Sequence, residues 1–270
     1  MSVLKVFNAD EIWQREQGWD AKKKSGRKFE DKEELAFWDK IAPVYTEQFN
    51  LYKDAEPLRK KLFELIPPGS SVVDLGCGSG NFAIPLSRQC SKITGVDFSP
   101  AMLDQMEHRI KAEKISNIKS ICGKFEEVDL PDDADFVIAI NALYRICYLR
   151  TALGKIYHCG KKGFIIVRTI VRPYLYELYE SLNISYRRSN DYMLIPMMLW
   201  DMGIEADVKY IPYYKVKEYE NLETVENDML RNVGEFTYLN YSDQLATPIS
   251  NGGLFGTPPG FCTDTCLWQV

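Results

Sequence analysis

The chain has 270 residues, of which 33 are Lys or Arg, 38 are Asp or Glu and only two are His, so the net charge is −5. This length and an apolar fraction of 46% are enough for a globular core without disulfides or metals. The acidic balance argues against a general nucleic-acid binder, which needs a basic surface. Two histidines disfavour a histidine metal cage or a histidine-centred triad, and no metal is expected.

No targeting or membrane segment is expected. Its first 30 residues are too charged for a signal peptide, and no apolar run reaches the roughly 18 residues of a spanning helix. The seven cysteines are scattered and odd in number, which favours a reduced, cytoplasmic location. Cys262 and Cys266 form a C-x3-C pair, for which packing is expected and a metal or metalloid thiolate site is the alternative.

The N-terminal part is polar as far as residue 30. Its basic run at 21–28 is interpreted as a solvated linker, with a recruiting patch for an anionic substrate as the alternative. From Asp31 onward, apolar residues follow a helical spacing that Pro43 interrupts. Residues 56–66 are amphipathic and run into Pro-Pro-Gly, which predicts a helix that ends there.

The next hundred or so residues alternate between short apolar runs and helical patterns. The runs predict strands at 71–75, 92–98, 118–123, 135–140 and 163–171. Helices are predicted between them, at 81–90, 99–114 and 149–159, with Ser99 as the N-cap of the second. Strands that are apolar on both faces and alternate with helices indicate an α/β fold with a doubly wound, mostly parallel sheet.

After residue 171 the regular alternation of short apolar strands and helices ends. Helical patterns occur at 172–183, 191–203 and 222–233, and strand patterns at 204–216 and 261–270. The predicted organisation is an N-terminal helical segment, a core of alternating strands and helices, and a C-terminal part of the same domain that contains further helices and the last two strands. These parts are assigned to residues 1–55, 56–171 and 172–270.

A glycine-rich loop, Asp74–Gly80, follows the first strand and opens a helix. Its alternating glycines permit a tight turn and a close approach to a ligand. No lysine follows, so the loop is not a phosphate-cradling P-loop, and Asn81 stands where a dinucleotide fingerprint needs Gly or Ala. Asp74 would repel a pyrophosphate and would attract an ammonium or sulfonium group.

A second acid, Asp97, ends the second strand 21 residues after Gly76. In a doubly wound sheet, this position lies at the carboxyl edge beside the glycine loop, where a carboxylate accepts hydrogen bonds from ribose hydroxyls. The combination of acid, glycines and second acid predicts a nucleoside-containing ligand with a positive charge.

The chain resembles the class I S-adenosylmethionine-dependent methyltransferases, in the small-molecule branch that includes ubiquinone and menaquinone biosynthesis methyltransferases. The resemblance is carried by residues 72–80, 95–103, 121–131 and 133–146. It implies a Rossmann-like seven-stranded sheet whose last two strands, here 204–216 and 261–270, form a reversed hairpin at the edge. It also implies S-adenosylmethionine as cofactor and S-adenosylhomocysteine as product.

The same resemblance implies roles for individual residues. The methionine part of the cofactor would contact Asp74, Gly76, Cys77, Gly78, Gly80 and Asn141. Asp97 would hold the ribose, with Phe98 and Met102 beside the adenine. The family often has Gly-Asp-Ala after the third strand, where the aspartate binds the adenine amino group, but this chain has Gly123, Lys124 and Phe125. Lysine cannot accept that hydrogen bond, so backbone atoms or stacking on Phe125 must serve instead.

Methyl transfer is an in-line displacement that depends on alignment and exclusion of water more than on acid–base chemistry. Tyr144 and Arg145, which follow the fourth strand, are the candidate catalytic residues. Arg168 and Arg172 flank the end of the fifth strand, where they would clamp a substrate carboxylate or phosphate, or form salt bridges at the rim.

Aromatic residues make up 13% of the chain and concentrate at 37–52 and 174–219. The resemblance makes Trp38 and Tyr45 candidates for a lid over the cofactor, although core packing explains them equally well. These features predict methyl transfer to a small organic acceptor in an enclosed, aromatic-lined pocket.

Two other functions stay open. Methylation of tRNA or protein is disfavoured by the pI of about 5.3 and by the absence of an Asn/Asp-Pro-Pro-Tyr/Phe motif at 141–144. A non-catalytic S-adenosylmethionine-binding partner or regulator is the other alternative. The expected partner is a small molecule, with no nucleic acid and no membrane, and the protein is expected to be a monomer or a homodimer.

Overall fold

The structure is a computed structural model, and it describes residues 8–17, 30–48, 55–170, 191–214 and 262–269. The helices are α1 Ala9–Gln17, α2 Asp31–Gln48, α3 Glu56–Leu65, α4 Ala83–Leu86, α5 Pro100–Ala112, α6 Leu149–Cys159 and α7 Asp191–Asp201. The strands are β1 Ser71–Leu75, β2 Lys92–Asp97, β3 Ile118–Cys122, β4 Phe136–Ile140, β5 Gly163–Ile170, β6 Asp207–Tyr214 and β7 Cys262–Gln269.

The strands form one sheet in the order β3-β2-β1-β4-β5-β7-β6. The strands from β3 to β5 are parallel: Val73 of β1 is in register with Thr94 of β2 on one side and Val137 of β4 on the other. Strand β7 runs antiparallel to β5. The five parallel strands, each followed or preceded by a helix, confirm the predicted α/β class.

Both faces of the sheet are covered by helices. Along β1, Val72 packs into one apolar cluster with α3, α4 and α5, whereas Val73 packs into a second cluster with α1, α6 and α7. Strand β4 alternates in the same way, with Ile138 in the first cluster and Val137 in the second. This alternation follows from the period of two along a strand, and it explains why these strands are apolar at nearly every position.

Helix α1 lies in the segment described as polar, for which no individual helix was predicted. Trp13 is fully buried, and its indole N–H donates to the carbonyl oxygen of Ile146 at 2.6 Å. Asn8 precedes the helix, and its side-chain oxygen accepts the N–H of Glu11 at 3.3 Å, as an N-cap does. A single large aromatic residue, Trp13, anchors this helix. The segment therefore has no helical repeat of apolar residues from which the helix could be predicted. The basic run at 21–28 lies outside the described residues.

Helix α2 is continuous through Pro43, where an interruption was predicted. Pro43 and Asp39, four residues before it, are both exposed. Because Pro43 has no N–H, the Asp39 carbonyl has no intrahelical donor, and water can hydrogen-bond to it instead. Helix α4 is shorter than predicted, four residues instead of the expected ten, and it contains Pro85. Helix α5 begins as predicted: the Ser99 hydroxyl accepts the N–H of Met102 at 3.3 Å.

The chain divides into two compact units. The first comprises Met1–Ile170, Ser189–Ile211 and Asp264–Val270, and it holds the parallel strands. The second comprises Val171–Arg188 and Pro212–Thr263, and few of its residues are described. The helices predicted at 172–183 and 222–233 lie outside the described residues.

Two kinds of feature are absent from the described ranges. Within them, no helix has the length and apolar character needed to span a bilayer. The same residues contain no group of three or more His, Cys, Asp or Glu side chains that could hold a metal ion.

Candidate functional site

A cavity of about 600 Å³ lies at the carboxyl ends of the parallel strands. Its size is that of a small-molecule or cofactor site. Strand β1 is flanked by β2 and β4, and this point of the sheet, where the chain order reverses, is where doubly wound folds bind ligands. Twelve residues from the predicted site line it, namely Trp38, Tyr45, Gly76, Gly78, Asp97, Phe98, Met102, Lys124, Phe125, Asn141, Tyr144 and Arg145.

The turn after β1 needs glycine for two reasons. Gly76 has φ +67°, a conformation that side chains disfavour, and a Cβ there would lie 2.6 Å from Cβ of Ala142. The N–H groups of Gly76 and Cys77 both donate to the carbonyl oxygen of Val96, at 2.8 and 3.1 Å. The loop is therefore pressed against β2 and the segment after β4, and its backbone forms the floor of the cavity.

Cys77 and Gly80 do not line the cavity. The Cys77 thiol is buried beneath the loop, and this burial raises its pKa well above the ordinary value. Gly80 also has a positive φ, and a Cβ there would lie 2.7 Å from Cγ of Met106 in α5. Both residues support the loop from behind.

Asp97 joins the glycine loop to the end of β2. Its Oδ2 accepts the N–H of Gly78 and its Oδ1 accepts the N–H of Ser99, both at 2.9 Å. Burial raises the pKa of Asp97, and the hydrogen bonds from Ser99 and Gly78 oppose that rise. Each carboxylate oxygen has a second lone pair, so Asp97 can still accept hydrogen bonds from a ligand in the cavity.

Asp74 is the most perturbed acid of the site. Its side chain is buried and does not line the cavity. Loss of hydration and the charge of Asp97 raise its pKa to about 8, against which a hydrogen bond from the N–H of Ala83 acts. Among the described residues, Oδ2 of Asp74 has no hydrogen-bond partner. A buried, unpaired carboxylate oxygen beside a second acid is stabilised by a positive charge brought close to it.

Asn141 follows β4 and adopts φ +52°, which is unusual for a residue other than glycine. Its N–H donates to the carbonyl oxygen of Val167 at 2.9 Å. Asparagine tolerates this conformation because its short side chain bonds locally. The turn directs the following residues, including Tyr144 and Arg145, along the wall of the cavity.

The outer end of the cavity lies at the ends of β2 and β3. Phe98 and Met102 line it after β2, and Phe125, which is buried, lines it after β3. Lys124 points its ammonium group at a carboxylate oxygen of Asp31 in α2, 2.6 Å away. This hydrogen bond and the charges around it raise the pKa of Lys124.

Helix α2 forms another wall. Its residues Asp31, Glu34, Trp38 and Tyr45 line the cavity, and their spacings of three, four and seven place them on one face of the helix. The rings of Trp38 and Tyr45 meet edge to face, with centroids 5.6 Å apart. Burial and the nearby Asp97 raise the pKa of Tyr45.

Arg145 forms an ion pair with Glu34, with its Nε 2.7 Å from Oε2. The other oxygen of Glu34 accepts the indole N–H of Trp38 at 2.9 Å. Glu34 is buried, and sequence reasoning missed it. The available signal was its spacing: Glu34 lies one turn before Trp38 on the helix face already proposed as a lid.

Of the two arginines predicted at the end of β5, the structure describes Arg168 but not Arg172. The guanidinium carbon of Arg168 lies 6.0 Å from the centre of the Tyr144 ring, at the limit of a cation–π contact. Arg168 does not itself line the cavity. Arg172 lies outside the described residues.

Comparisons with known proteins agree with this geometry. Residues 72–163 match a family model described as a methyltransferase domain. The carboxy-S-adenosyl-L-methionine synthase of Helicobacter pylori is 30% identical over 126 residues, which cover 44% of this chain and 51% of that protein. The demethylmenaquinone methyltransferase of Geobacillus stearothermophilus is 29% identical over 106 residues, 38% of this chain and 45% of that protein.

The chain thus spans about half the length of these named relatives. The structure of the YcgJ protein from Bacillus subtilis has the same fold, with a TM-score of 0.52 at 19% identity, over 78% of this chain and 94% of that one. The chain thus carries, at residues 72–163, a match to a methyltransferase domain, and over its core it is similar to a carboxy-S-adenosyl-L-methionine synthase and to a demethylmenaquinone methyltransferase.

Proposed function

We propose that the protein transfers a methyl group from S-adenosylmethionine to a small organic acceptor. The observation that carries this proposal is the acid pair at the glycine loop. Asp97 lines the cavity, and Asp74 lies behind the loop with an unpaired, buried carboxylate oxygen. A ligand that offers hydroxyl groups to the first acid and an ammonium group near the second meets both requirements.

The residues of the cavity fit this cofactor. Asp97 would accept from the ribose hydroxyls, and Asp74 would stabilise the ammonium of the methionine part through the loop backbone. Phe98, Met102 and Phe125 supply an apolar surface for a flat base. When bound, S-adenosylmethionine supplies an electrophilic methyl group on a sulfonium.

The protein's own contribution would be alignment and exclusion of water. Asn141 would lie against the methionine part, at the strand end that leads to Tyr144 and Arg145. These two residues line the adjoining wall and would orient the acceptor. Arg145 is already neutralised by Glu34, so it would act mainly by holding the wall and helix α2 in place. Helix α2 would shield the reacting atoms from water, with Trp38 and Tyr45 facing inward.

The finer architecture is also part of this proposal. Residues 1–55 would act as a lid, 56–171 as the cofactor-binding core, and 172–270 as an insert that covers the acceptor and supplies edge strands. The contacts of α2 with Lys124 and Arg145 support the lid. Arg168 and Arg172 would then lie at the mouth of the acceptor pocket, in a cytoplasmic enzyme that needs no metal.

One observation favours the alternative of a non-catalytic cofactor-binding protein. Two of the four basic residues that were candidates for ligand contact, Lys124 and Arg145, form ion pairs with α2. Methylation of tRNA or protein has no such support.

The test has two stages. Titration calorimetry with S-adenosylhomocysteine asks whether the cofactor site exists, and saturable one-to-one binding is expected. Transfer of labelled methyl groups from S-adenosylmethionine to a panel of small phenols, quinols, carboxylic acids and amines then asks whether the protein is catalytic. Binding without transfer to any of these acceptors would favour the regulator, and no binding would refute both functions.

A further inference from the structure

The ion pair of Lys124 and Asp31 connects helix α2 to the outer end of the cavity. The Lys124 ammonium lies 2.6 Å from Oδ2 of Asp31, and the second carboxylate near it, Glu127, is 3.8 Å away. Both Lys124 and Asp31 line the cavity. The lysine therefore holds the carboxylate of a helix residue at the end of the cavity that Glu126 and Glu127, after β3, also line.

The order of the strands sets the direction of a bound nucleoside. Along the sheet edge, the ends of β4, β1, β2 and β3 follow one another, so the cavity passes from Asn141 to the glycine loop, to Asp97 and then to Lys124. If the ribose is held at Asp97 and the ammonium lies near Asp74 at the end of β1, the base must extend toward β3. There it meets Phe125 and the Lys124–Asp31 pair.

Adenine carries a six-amino group that donates hydrogen bonds. Lys124 is a donor only and cannot accept them. A carboxylate has two oxygens, and Asp31 uses one of them for Lys124. The other cavity acid of α2, Glu34, is already ion-paired with Arg145 and accepts the indole N–H of Trp38.

We infer that Asp31, positioned by Lys124, accepts a hydrogen bond from the adenine amino group and gives the site its selectivity for adenine. This inference rests on the proposed function, because it needs the nucleoside to lie in this cavity. It assigns a role to the lysine that replaces the family's usual aspartate. Lys124 does not read the base; it holds the acid that does.

The experiment compares two ligands by titration calorimetry. One is S-adenosylhomocysteine, and the other is its deamino analogue, which has hydrogen in place of the six-amino group. The variants are Asp31→Ala and Lys124→Met, and the matched control is Asp39→Ala. Asp39 is an exposed acid on the same helix that does not line the cavity. Circular dichroism verifies that each variant is folded.

The wild type and the control are expected to prefer S-adenosylhomocysteine by about tenfold, as one hydrogen bond to a charged group gives. In Asp31→Ala and Lys124→Met, this ratio should fall to within about twofold of one, mainly through weaker binding of S-adenosylhomocysteine. A helix that merely covers the ligand would weaken both ligands equally and leave the ratio unchanged.

Three results would overturn the inference. They are a wild-type ratio near one, an unchanged ratio in both variants, and a ratio that falls in Glu127→Gln but not in Asp31→Ala. In each of these cases S-adenosylhomocysteine still binds, and the proposed function survives. Failure of the wild type to bind either ligand would instead refute the proposed function together with the inference.

Discussion

Replacement of Asp74 by asparagine should make the free energy of unfolding less dependent on pH, and it should weaken cofactor binding. In the folded protein, burial and Asp97 raise the pKa of Asp74 from 3.8 to about 8. The folded state therefore holds a proton that the unfolded state releases over this range. Stability must fall as the pH rises from about 4 to about 8, because folding requires uptake of that proton.

The size of this effect follows from the shift. Each pH unit within the window costs the folded state about 1.4 kcal/mol, so the loss between pH 5 and pH 7 is about 3 kcal/mol. Asparagine keeps the shape and the oxygen that accepts from Ala83, but it does not titrate. The free energy of unfolding of wild type and Asp74→Asn should be measured with urea at pH 5, 6 and 7. The value for the variant minus that for the wild type should increase by about 1.4 kcal/mol for each pH unit.

Ligand binding supplies the second half of the test. An ammonium group near Asp74 would hold it ionised, so binding of S-adenosylhomocysteine to wild type at pH 7 should release close to one proton, measured by calorimetry in buffers of different ionisation enthalpy. In Asp74→Asn, this release should disappear and the affinity should fall by at least about a hundredfold. A stability difference that is independent of pH, or wild-type binding without proton release, would refute this reasoning.

Three further substitutions test the loop, the second acid and the N-terminal helix. Gly76→Ala should lose about 2 kcal/mol more stability than Gly69→Ala in urea unfolding, because both have positive φ but only Gly76 lacks room for a Cβ; equal losses would contradict this. Asp97→Ala should stay folded by circular dichroism and bind S-adenosylhomocysteine at least about tenfold more weakly, and unchanged affinity would exclude the ribose contact. Trp13→Phe should destabilise the protein by about 1–3 kcal/mol, since it removes a buried donor and leaves a carbonyl unpaired, and a neutral effect would show that α1 is not anchored there.

The parallel part of the fold was predictable because its signals are local and consistent. A strand that is apolar on both faces, such as Phe136–Ile140, must have both faces buried, and a doubly wound sheet covers them with helices. Ser99 and Pro100 mark the start of α5 with side-chain and backbone preferences that need no tertiary context. Asp97 was placed at the cavity by spacing alone, since the carboxyl ends of parallel strands share one edge.

What the sequence did not reveal depends on contacts between distant segments. Helix α1 exists because Trp13 reaches a carbonyl 133 residues away, and no local period encodes that contact. The pairing of Glu34 with Arg145 likewise joins a polar helix residue to the end of β4. A charged residue in an amphipathic helix is ordinarily exposed, so burial of Glu34 could be recognised only with its partner in place.

The identity of the ligand that the cavity binds is the central claim about this protein. A parallel calorimetric titration at pH 7 tests this claim. The wild-type protein is titrated with S-adenosylhomocysteine and with NAD, a nucleoside ligand that contains a pyrophosphate. Saturable one-to-one binding of S-adenosylhomocysteine and no detectable binding of NAD are expected, because an ammonium stabilises the ionised form of Asp74, whereas Asp97 repels a pyrophosphate. Binding of NAD in preference to S-adenosylhomocysteine, or binding of neither, would contradict it.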